Sequence, residues 1–174
     1  MKEQSNNTTW TIKLTSSKWY HTPHVSACGY AFDEQNRLMQ ADSLCHYFDV
    51  DNYDTLAARL QKCNGIYSVV CHSDRLYAAV VDPSRIYPIY YRIDTPEKIT
   101  LSDNPTLLLQ KGDRLQQDAI LEYNVTGYPL DGKTLVKDIL QIKPGSYLNN
   151  IGKCISFFSY VAFLHEIKHP TDND

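Results

Sequence analysis

The last residues of the sequence include a pattern that could bind zinc. The run HEIKH at residues 165–169 fits HExxH, in which two histidines one helical turn apart bind the metal and the glutamate activates water. Pro170 disfavours helical backbone at His169, and only residues 170–174 follow to supply the third ligand that normally comes later in the chain. Zinc hydrolysis is therefore a remote alternative, and we expect no metal site.

Three smaller groups of residues have a chemical and an ordinary interpretation. His21 and His24 could supply two metal ligands, but no acidic or cysteine partner is placed nearby, which favours a surface loop. Cys28 could be a relocated nucleophile, although a small thiol in an apolar strand more often only packs. Asp82 and Arg85 could form a functional pair, but a turn-capping aspartate beside a solvated arginine is the usual case.

Four short runs rich in Tyr, Val and Ile predict the strands around which the chain is organised. They cover residues 66–71, 76–81, 86–93 and 99–102, and the turns between them carry Pro, Asp and Ser. Turns this short are typical of an antiparallel meander. We therefore expect the four strands to lie side by side in one sheet.

The remaining segments predict an α+β fold. The apolar run at residues 25–32 contains Gly29, which indicates a buried strand that another group approaches closely. Asp54 is a plausible N-cap for a helix over residues 55–62. Residues 16–23 look like a loop. Further strands are expected at residues 10–14, 146–148 and 154–160, and further helices at residues 43–48, 106–110 and 115–125. The predicted helices lie between strands, but the regular strand–helix–strand alternation of a parallel sheet is largely missing. This order indicates helices packed on mostly antiparallel sheets.

Composition excludes several classes of function. The chain has 174 residues, enough for one domain with a real core, and a formal net charge of −3, which gives no case for nucleic acid or an anionic membrane. No apolar run approaches the roughly 20 residues of a membrane helix, and the polar start is no signal peptide. The five scattered cysteines include no CxxC pair, so we expect free thiols in a cytoplasmic protein.

The order of segments from residue 60 to residue 160 resembles the second half of the class II glutamine amidotransferase domain of asparagine synthetases. NGIYSVV at residues 64–70 resembles the family's NGMFAFALYD, and VDPSRIYPIYY at 81–91 resembles RDxxGxxPLYY but loses its Arg and its Gly. LSDNPTLL at 101–108 and KPGSYL at 143–148 match ASEMKAL and PPGSYL. The resemblance implies an N-terminal-nucleophile hydrolase fold, which is an αββα sandwich of two mostly antiparallel sheets.

Departures from the family pattern imply that glutaminase activity is lost. Enzymes of the family attack glutamine with the thiol of an N-terminal cysteine, and the α-amino group of that cysteine is the base. In this chain Lys2 follows Met1, and the first cysteine is Cys28. The family segments RHRGPD and ERLSIVD are also absent. NGEIYN, which supplies an oxyanion hole, aligns at best with residues 28–31, so that Cys28 replaces the Asn donor and Tyr30 the substrate-holding Glu. Cys28, Gly29 and Tyr30 are the candidates for a remnant glutamine pocket, with no catalytic residue.

The resemblance to inactive amidotransferase domains also implies a role for this chain. Inactive versions of this domain precede an ATP-pyrophosphatase domain, marked by SGGxDS, in beta-lactam synthetases and lasso-peptide cyclases. We expect residues 1–160 to be such a domain and residues 161–174 to be a polar tail or the start of a linker. The expected partner is a synthetase domain in cis or trans, which alone would need ATP and Mg, and a homodimer is possible. The alternative is a stand-alone module that binds a peptide or small acid in the remnant pocket.

Overall fold

The computed structural model describes residues 9–95, 98–151 and 154–160, which form strands and short helices. The strands are β1 (Thr9–Lys13), β2 (Trp19–His21), β3 (Val25–Phe32), β4 (Leu38–Gln40), β5 (Asn64–Ser73), β6 (Leu76–Val81), β7 (Tyr90–Thr95), β8 (Lys98–Ser102), β9 (Leu140–Gln141), β10 (Ser146–Ile151) and β11 (Cys154–Ser159). The helices are α1 (Asp42–Phe48), α2 (Tyr53–Lys62) and α3 (Gln117–Thr126), with a 3₁₀ helix at Pro105–Leu108. None of these helices is long and apolar enough to cross a membrane.

The described strands form two sheets, which confirms the predicted α+β class. The smaller sheet has the order β1-β8-β7-β9, and its β1–β8 pair is parallel. The larger sheet has the order β11-β10-β6-β5-β3-β2, with β4 also paired to β3, and all its described pairs are antiparallel. Two mostly antiparallel sheets with few helices are what the resemblance implied.

The core lies in two layers on either side of the larger sheet. Alternate side chains of β5 and β6 point to opposite faces, so Val69 and Val80 pack towards α1 and α2, while Val70 and Val81 pack towards the smaller sheet. This two-sided burial explains why both strands are nearly continuous apolar runs. On the outer face of the smaller sheet, the Arg92 guanidinium donates to the Leu108 carbonyl and to Asp113, which fastens the segment after the 3₁₀ helix there.

The predicted single meander is wrong. Strands β5 and β6 form a hairpin in the larger sheet, whereas β7 and β8 form a hairpin in the smaller one. The strand expected from residue 86 begins only at Tyr90, because residues 82–89 carry the chain from one sheet to the other. At the start of this crossing, Asp82 is fully buried and its carboxylate accepts the backbone N–H of Ser84. Composition and spacing identify strands but not the sheet to which each belongs.

Two local predictions are also corrected. The expected loop at residues 16–23 contains β2, whose Trp19 pairs with Cys28 of β3. Helix α2 is capped by Asn52, whose side chain accepts the N–H of Thr55, and not by Asp54, which lies in the first turn. Both Asn and Asp are common caps, so residue type alone did not decide between them. The expected hairpin of β10 and β11 is confirmed.

The parallel pairing of β1 and β8 brings their carboxyl ends together and creates a carboxylate clamp. Asp103, directly after β8, accepts the N–H of Thr15 at 3.0 Å, the N–H of Ser16 at 2.8 Å and the indole N–H of Trp19 at 3.0 Å. Burial opposes ionisation, but the hydrogen bonds from Ser16 and Thr15 outweigh it and hold the pKa of Asp103 below its ordinary value. The clamp fixes the chain where it passes from the smaller sheet to the larger.

Replacement of the helix cap tests the corrected start of α2. Asn52→Ala is expected to lower the free energy of unfolding by about 1 kcal/mol, because the N–H of Thr55 loses its acceptor. Asp54→Ala removes only a first-turn charge, and its effect is expected to be less than half as large. Urea unfolding monitored by circular dichroism measures both variants. An equal or larger loss for Asp54→Ala would show that the cap is misassigned.

The clamp makes a pH-dependent contribution to stability. Asp103→Asn is expected to lower the free energy of unfolding by about 1–2 kcal/mol at neutral pH, allowing for partial exposure to solvent. Because the folded-state pKa is depressed, the difference from the parent chain is full above the ordinary aspartate pKa of about 3.9 and is lost as the pH falls through the folded-state value. Asp74→Asn, in the exposed β5–β6 turn, is the control. A difference that does not change with pH would contradict the clamp.

Candidate functional site

The predicted remnant pocket lies on β3 at the place where the smaller sheet stops covering the larger one. Side chains on the inner face of β3 are buried as far as Cys28, whereas Tyr30 and Phe32 are 39% and 38% exposed. The opposite face is buried along the same strand, at Val25, Ala27 and Ala31. The three candidate residues therefore straddle the boundary between the inter-sheet core and an open surface.

Cys28 has the properties of a packing residue. Its side chain is 2% exposed and belongs to the inter-sheet core together with Trp19. Burial raises the pKa of the thiol to about 11, although the nearby Lys18 acts in the opposite direction. Since the thiolate is the reactive form, such a thiol is a poor nucleophile near neutral pH.

The other described cysteines are also free thiols, and their pKa values are also raised. Burial raises the pKa of Cys45 to about 11 and that of Cys71 to about 12, and it also raises the pKa of Cys63. Their free state agrees with the expectation from the sequence. Within the described side chains, no cysteine therefore offers an activated nucleophile.

Gly29 allows the close approach that the sequence predicted. Its φ is +92°, and a Cβ there would lie 2.1 Å from the carbonyl oxygen of Ile66 and 2.9 Å from the ring of Tyr87. Gly29 lines a cavity of about 270 Å³, which Lys18 also lines. The Lys18 ammonium lies 5.5 Å from the centroid of the Tyr87 ring, and no acid of the described chain pairs with it. This arrangement could bind a small anion but contains no nucleophile with an adjacent base.

The histidines of the described chain do not form a metal site. Nδ1 of His21 lies 2.8 Å from Oγ of Ser26, and the same oxygen lies 3.3 Å from Nε2 of His72. His24 is instead 3.6 Å from an oxygen of Asp49. No group of three potential metal ligands occurs among the described residues, and the HEIKH run at residues 165–169 lies outside them.

Asp82 and Arg85 do not form a side-chain pair. One carboxylate oxygen of Asp82 accepts the backbone N–H of Ser84 at 2.6 Å and that of Arg85 at 3.2 Å, so the turn-capping interpretation is confirmed. The Arg85 side chain instead lines a second cavity, which the sequence analysis missed.

The second cavity has a volume of about 390 Å³ and lies beside the outer face of the smaller sheet. Its wall comes from the crossing after β6, the 3₁₀ helix, α3 and the loop after α3, and also from β7 and β9 of the smaller sheet. Rings of Tyr90, Tyr123 and Tyr128 contribute to the wall, and Arg85 and Lys133 are its cations. One sequence signal for this cavity was the loop Gly127-Tyr128-Pro129, in which an aromatic residue lies between two residues that favour turns.

Comparisons with known proteins give a loose likeness. No family model and no curated protein matches the chain. One solved structure is an allosteric regulatory enzyme of purine biosynthesis, with 9% identity and a TM-score of 0.44 over 86% of this chain and 32% of that one. Another is glutamine phosphoribosylpyrophosphate amidotransferase from B. subtilis complexed with ADP and GMP, with 9% identity and a TM-score of 0.41 over 83% and 31%. The chain spans about a third of their length, and so loose a likeness carries no conclusion about activity.

Thiol reactivity tests the packing role of Cys28. A chloroketone analogue of glutamine is expected to leave the folded chain unmodified at about pH 8, where a thiol of pKa about 11 is roughly one part in a thousand thiolate. Intact mass after incubation measures the result. In guanidinium chloride, where burial is lost, iodoacetamide is expected to modify Cys28. A single adduct on Cys28 in the folded chain would overturn this assignment.

Proposed function

We propose that this chain is a glutaminase-inactive, amidotransferase-like domain that supports the synthetase domain of an asparagine-synthetase-like, ATP-dependent amide-forming enzyme. In this proposal the chain is not itself catalytic and needs no cofactor, and ATP and Mg belong to the synthetase domain. The observation that carries the proposal is an uncovered apolar surface beside the remnant pocket. The described thiols are free, which suits a cytoplasmic location.

Contacts among the matched segments support the resemblance. Tyr67 lies in the first segment, Asp82 in the second and Gly145 in the last, far apart in sequence. The N–H of Asp82 donates to the carbonyl of Tyr67 at 3.1 Å, and the carbonyl of Asp82 accepts the N–H of Gly145 at 3.1 Å. Three of the four segments therefore meet at one buried residue in this chain, which supports reading them as parts of one packed unit.

The residues at the remnant pocket support the loss of glutaminase activity. Where the family has an Asn donor, this chain has Cys28, a buried thiol whose pKa is raised by burial. Where the family has a Glu that holds the substrate, Tyr30 packs edge-on against Phe32, with ring centroids 6.0 Å apart. The Cys28 thiol is only a weak donor in place of the amide, and the Tyr30 ring lacks the negative charge of the glutamate.

The uncovered surface supports a partner domain. Tyr30, Phe32 and Leu38 form what we term the β3–β4 face; Phe32 and Leu38 pair directly, so their side chains share one side of the larger sheet. Leu38 is 53% exposed, and both rings are more than a third exposed. Clustered aromatic and aliphatic side chains on an open sheet face are typical of protein interfaces. We assign this face to the synthetase domain.

The cavity beside Gly29 favours a second candidate function. Its volume of about 270 Å³ and the ammonium of Lys18, which pairs with no acid of the described residues, would suit a small acid if the chain acts as a stand-alone binding module. The leading proposal has the advantage that it also accounts for the β3–β4 face. The two candidates differ in whether a synthetase domain is encoded with this chain.

Reconstitution with the encoded partner tests the leading proposal. The coding sequence after residue 174 and the neighbouring genes are searched for a domain that contains SGGxDS. That domain is then co-expressed with this chain, either fused to it or as a separate polypeptide. The pair is expected to form a one-to-one complex that cleaves ATP to AMP and pyrophosphate with an amine or ammonia, but not with glutamine, as nitrogen donor.

A matched pair of variants locates the contact. Phe32→Ser is expected to weaken the complex by about tenfold or more, which corresponds to about 1.4 kcal/mol. Leu121→Ser removes an equally apolar residue that is 66% exposed on α3, and it is expected to leave the affinity unchanged. Analytical ultracentrifugation measures both and also detects a homodimer. Glutamine-dependent synthesis, or no SGGxDS domain in the region, would refute the proposal.

A further inference from the structure

The cavity beside the smaller sheet has the size and walls of a small-molecule site. Its volume of about 390 Å³ falls in the range of ligand pockets, and its walls are mainly aromatic and aliphatic. Tyr90 projects into it from the outer face of β7, since its neighbour Tyr91 points into the inter-sheet core. Tyr123 reaches it from α3, one helical turn after the buried Ala119.

Three polar side chains in the wall already have partners within the protein: Lys133, Thr134 and Gln141. Lys133 donates to Asp118 at 3.0 Å and to Glu122, and the hydrogen bonds to Glu122 and Asp118 raise its pKa. Thr134 Oγ1 donates to the Ile139 carbonyl at 2.8 Å, and the Gln141 amide donates to the Lys133 carbonyl at 3.1 Å. The positive charge of Lys133 is therefore compensated by two carboxylates, and Thr134 and Gln141 each already donate a hydrogen bond within the protein.

Arg85 is different, because no acid of the described chain forms an ion pair with its guanidinium. The side chain lines the cavity and is only partly exposed. A guanidinium keeps its charge at any physiological pH and presents a planar fork of donors. The cavity therefore combines one uncompensated positive charge with apolar walls.

The backbone at Arg85 indicates that this side chain has a use. Its φ is +49°, in the left-handed region where residues other than Gly are strained. Position 85 is also the place of the Gly in the family pattern RDxxGxxPLYY, so the local backbone is of the kind that glycine adopts freely. An arginine that is held in a glycine conformation and lines a cavity is a candidate for a functional position.

We infer that this cavity binds a small organic carboxylate with an aromatic or branched apolar body, and that the Arg85 guanidinium holds the carboxylate through paired hydrogen bonds. The planar fork matches a carboxylate, and the rings of Tyr90, Tyr123 and Tyr128 accommodate the body. The site is separate from the remnant pocket at Gly29, and its occupancy does not depend on a synthetase domain.

Binding of phenylacetate to the full chain tests the inference, with phenylacetamide as its neutral counterpart. Isothermal titration and ligand-observed NMR are expected to give saturable one-to-one binding of phenylacetate, and at least about tenfold weaker binding of the amide, which keeps the body but loses the charge. Inorganic phosphate is expected not to compete at similar concentrations, because it cannot use the apolar walls.

Substitutions at position 85 separate binding from folding. Arg85→Gly and Arg85→Asn suit a left-handed backbone, so both are expected to keep the melting temperature within a few degrees of the parent while losing phenylacetate binding by about tenfold or more. Arg75→Ala removes an equal charge from the exposed β5–β6 turn, outside the wall of either cavity, and is expected to bind as the parent does. Undiminished binding by Arg85→Gly, equal binding of acid and amide, or no binding by the parent chain would each overturn the inference.

Discussion

The arrangement of the two sheets depends on the hydrogen bonds of one buried residue, Asp82. Its N–H donates to Tyr67 of β5, its carbonyl accepts the N–H of Gly145 before β10, and one carboxylate oxygen accepts the N–H of Ser84. Burying a carboxylate costs free energy unless hydrogen-bond donors surround it. Movement of these donors away from Asp82 would therefore destabilise the fold. The other carboxylate oxygen is buried with no partner among the described residues. The chain leaves the larger sheet here for the smaller one, at a point held from three directions.

The crossing contributes a residue to the outer cavity and contacts two residues that line the smaller one, Gly29 and Lys18. The turn after Asp82 places Arg85 in a left-handed conformation and directs its side chain along the outer cavity. Two residues later the ring of Tyr87 lies where a side chain at position 29 would need to be, and the Lys18 ammonium lies 5.5 Å from the centroid of that ring. A change in the crossing would therefore alter both candidate sites. The turn acts as a positioning element for each of them as well as a link between sheets.

How much the sequence predicted depended on whether the relevant interactions were local. The strands at residues 25–32 and 76–81 were predicted to the residue because apolar runs between turn formers are a local signal. Gly29 indicated a close approach because a glycine inside a strand has few other uses. The division of the four central strands between two sheets was not predicted, because it depends on the long-range contacts of Asp82. The cavity at Arg85 was missed because segments that are far apart in the sequence form it together.

A mismatch between the two sheets is the physical basis of the proposed partner. Within the described chain, four strands of the smaller sheet face seven of the larger, so the smaller sheet cannot cover the whole inner face. The residues left outside it are nevertheless aromatic and aliphatic: Tyr30, Phe32 and Leu38. Such side chains gain about 25 cal/mol for each Å² of apolar surface removed from water, a gain the isolated chain does not make on this face. A second protein layer would supply the missing cover, which favours a supporting domain over a module that acts alone.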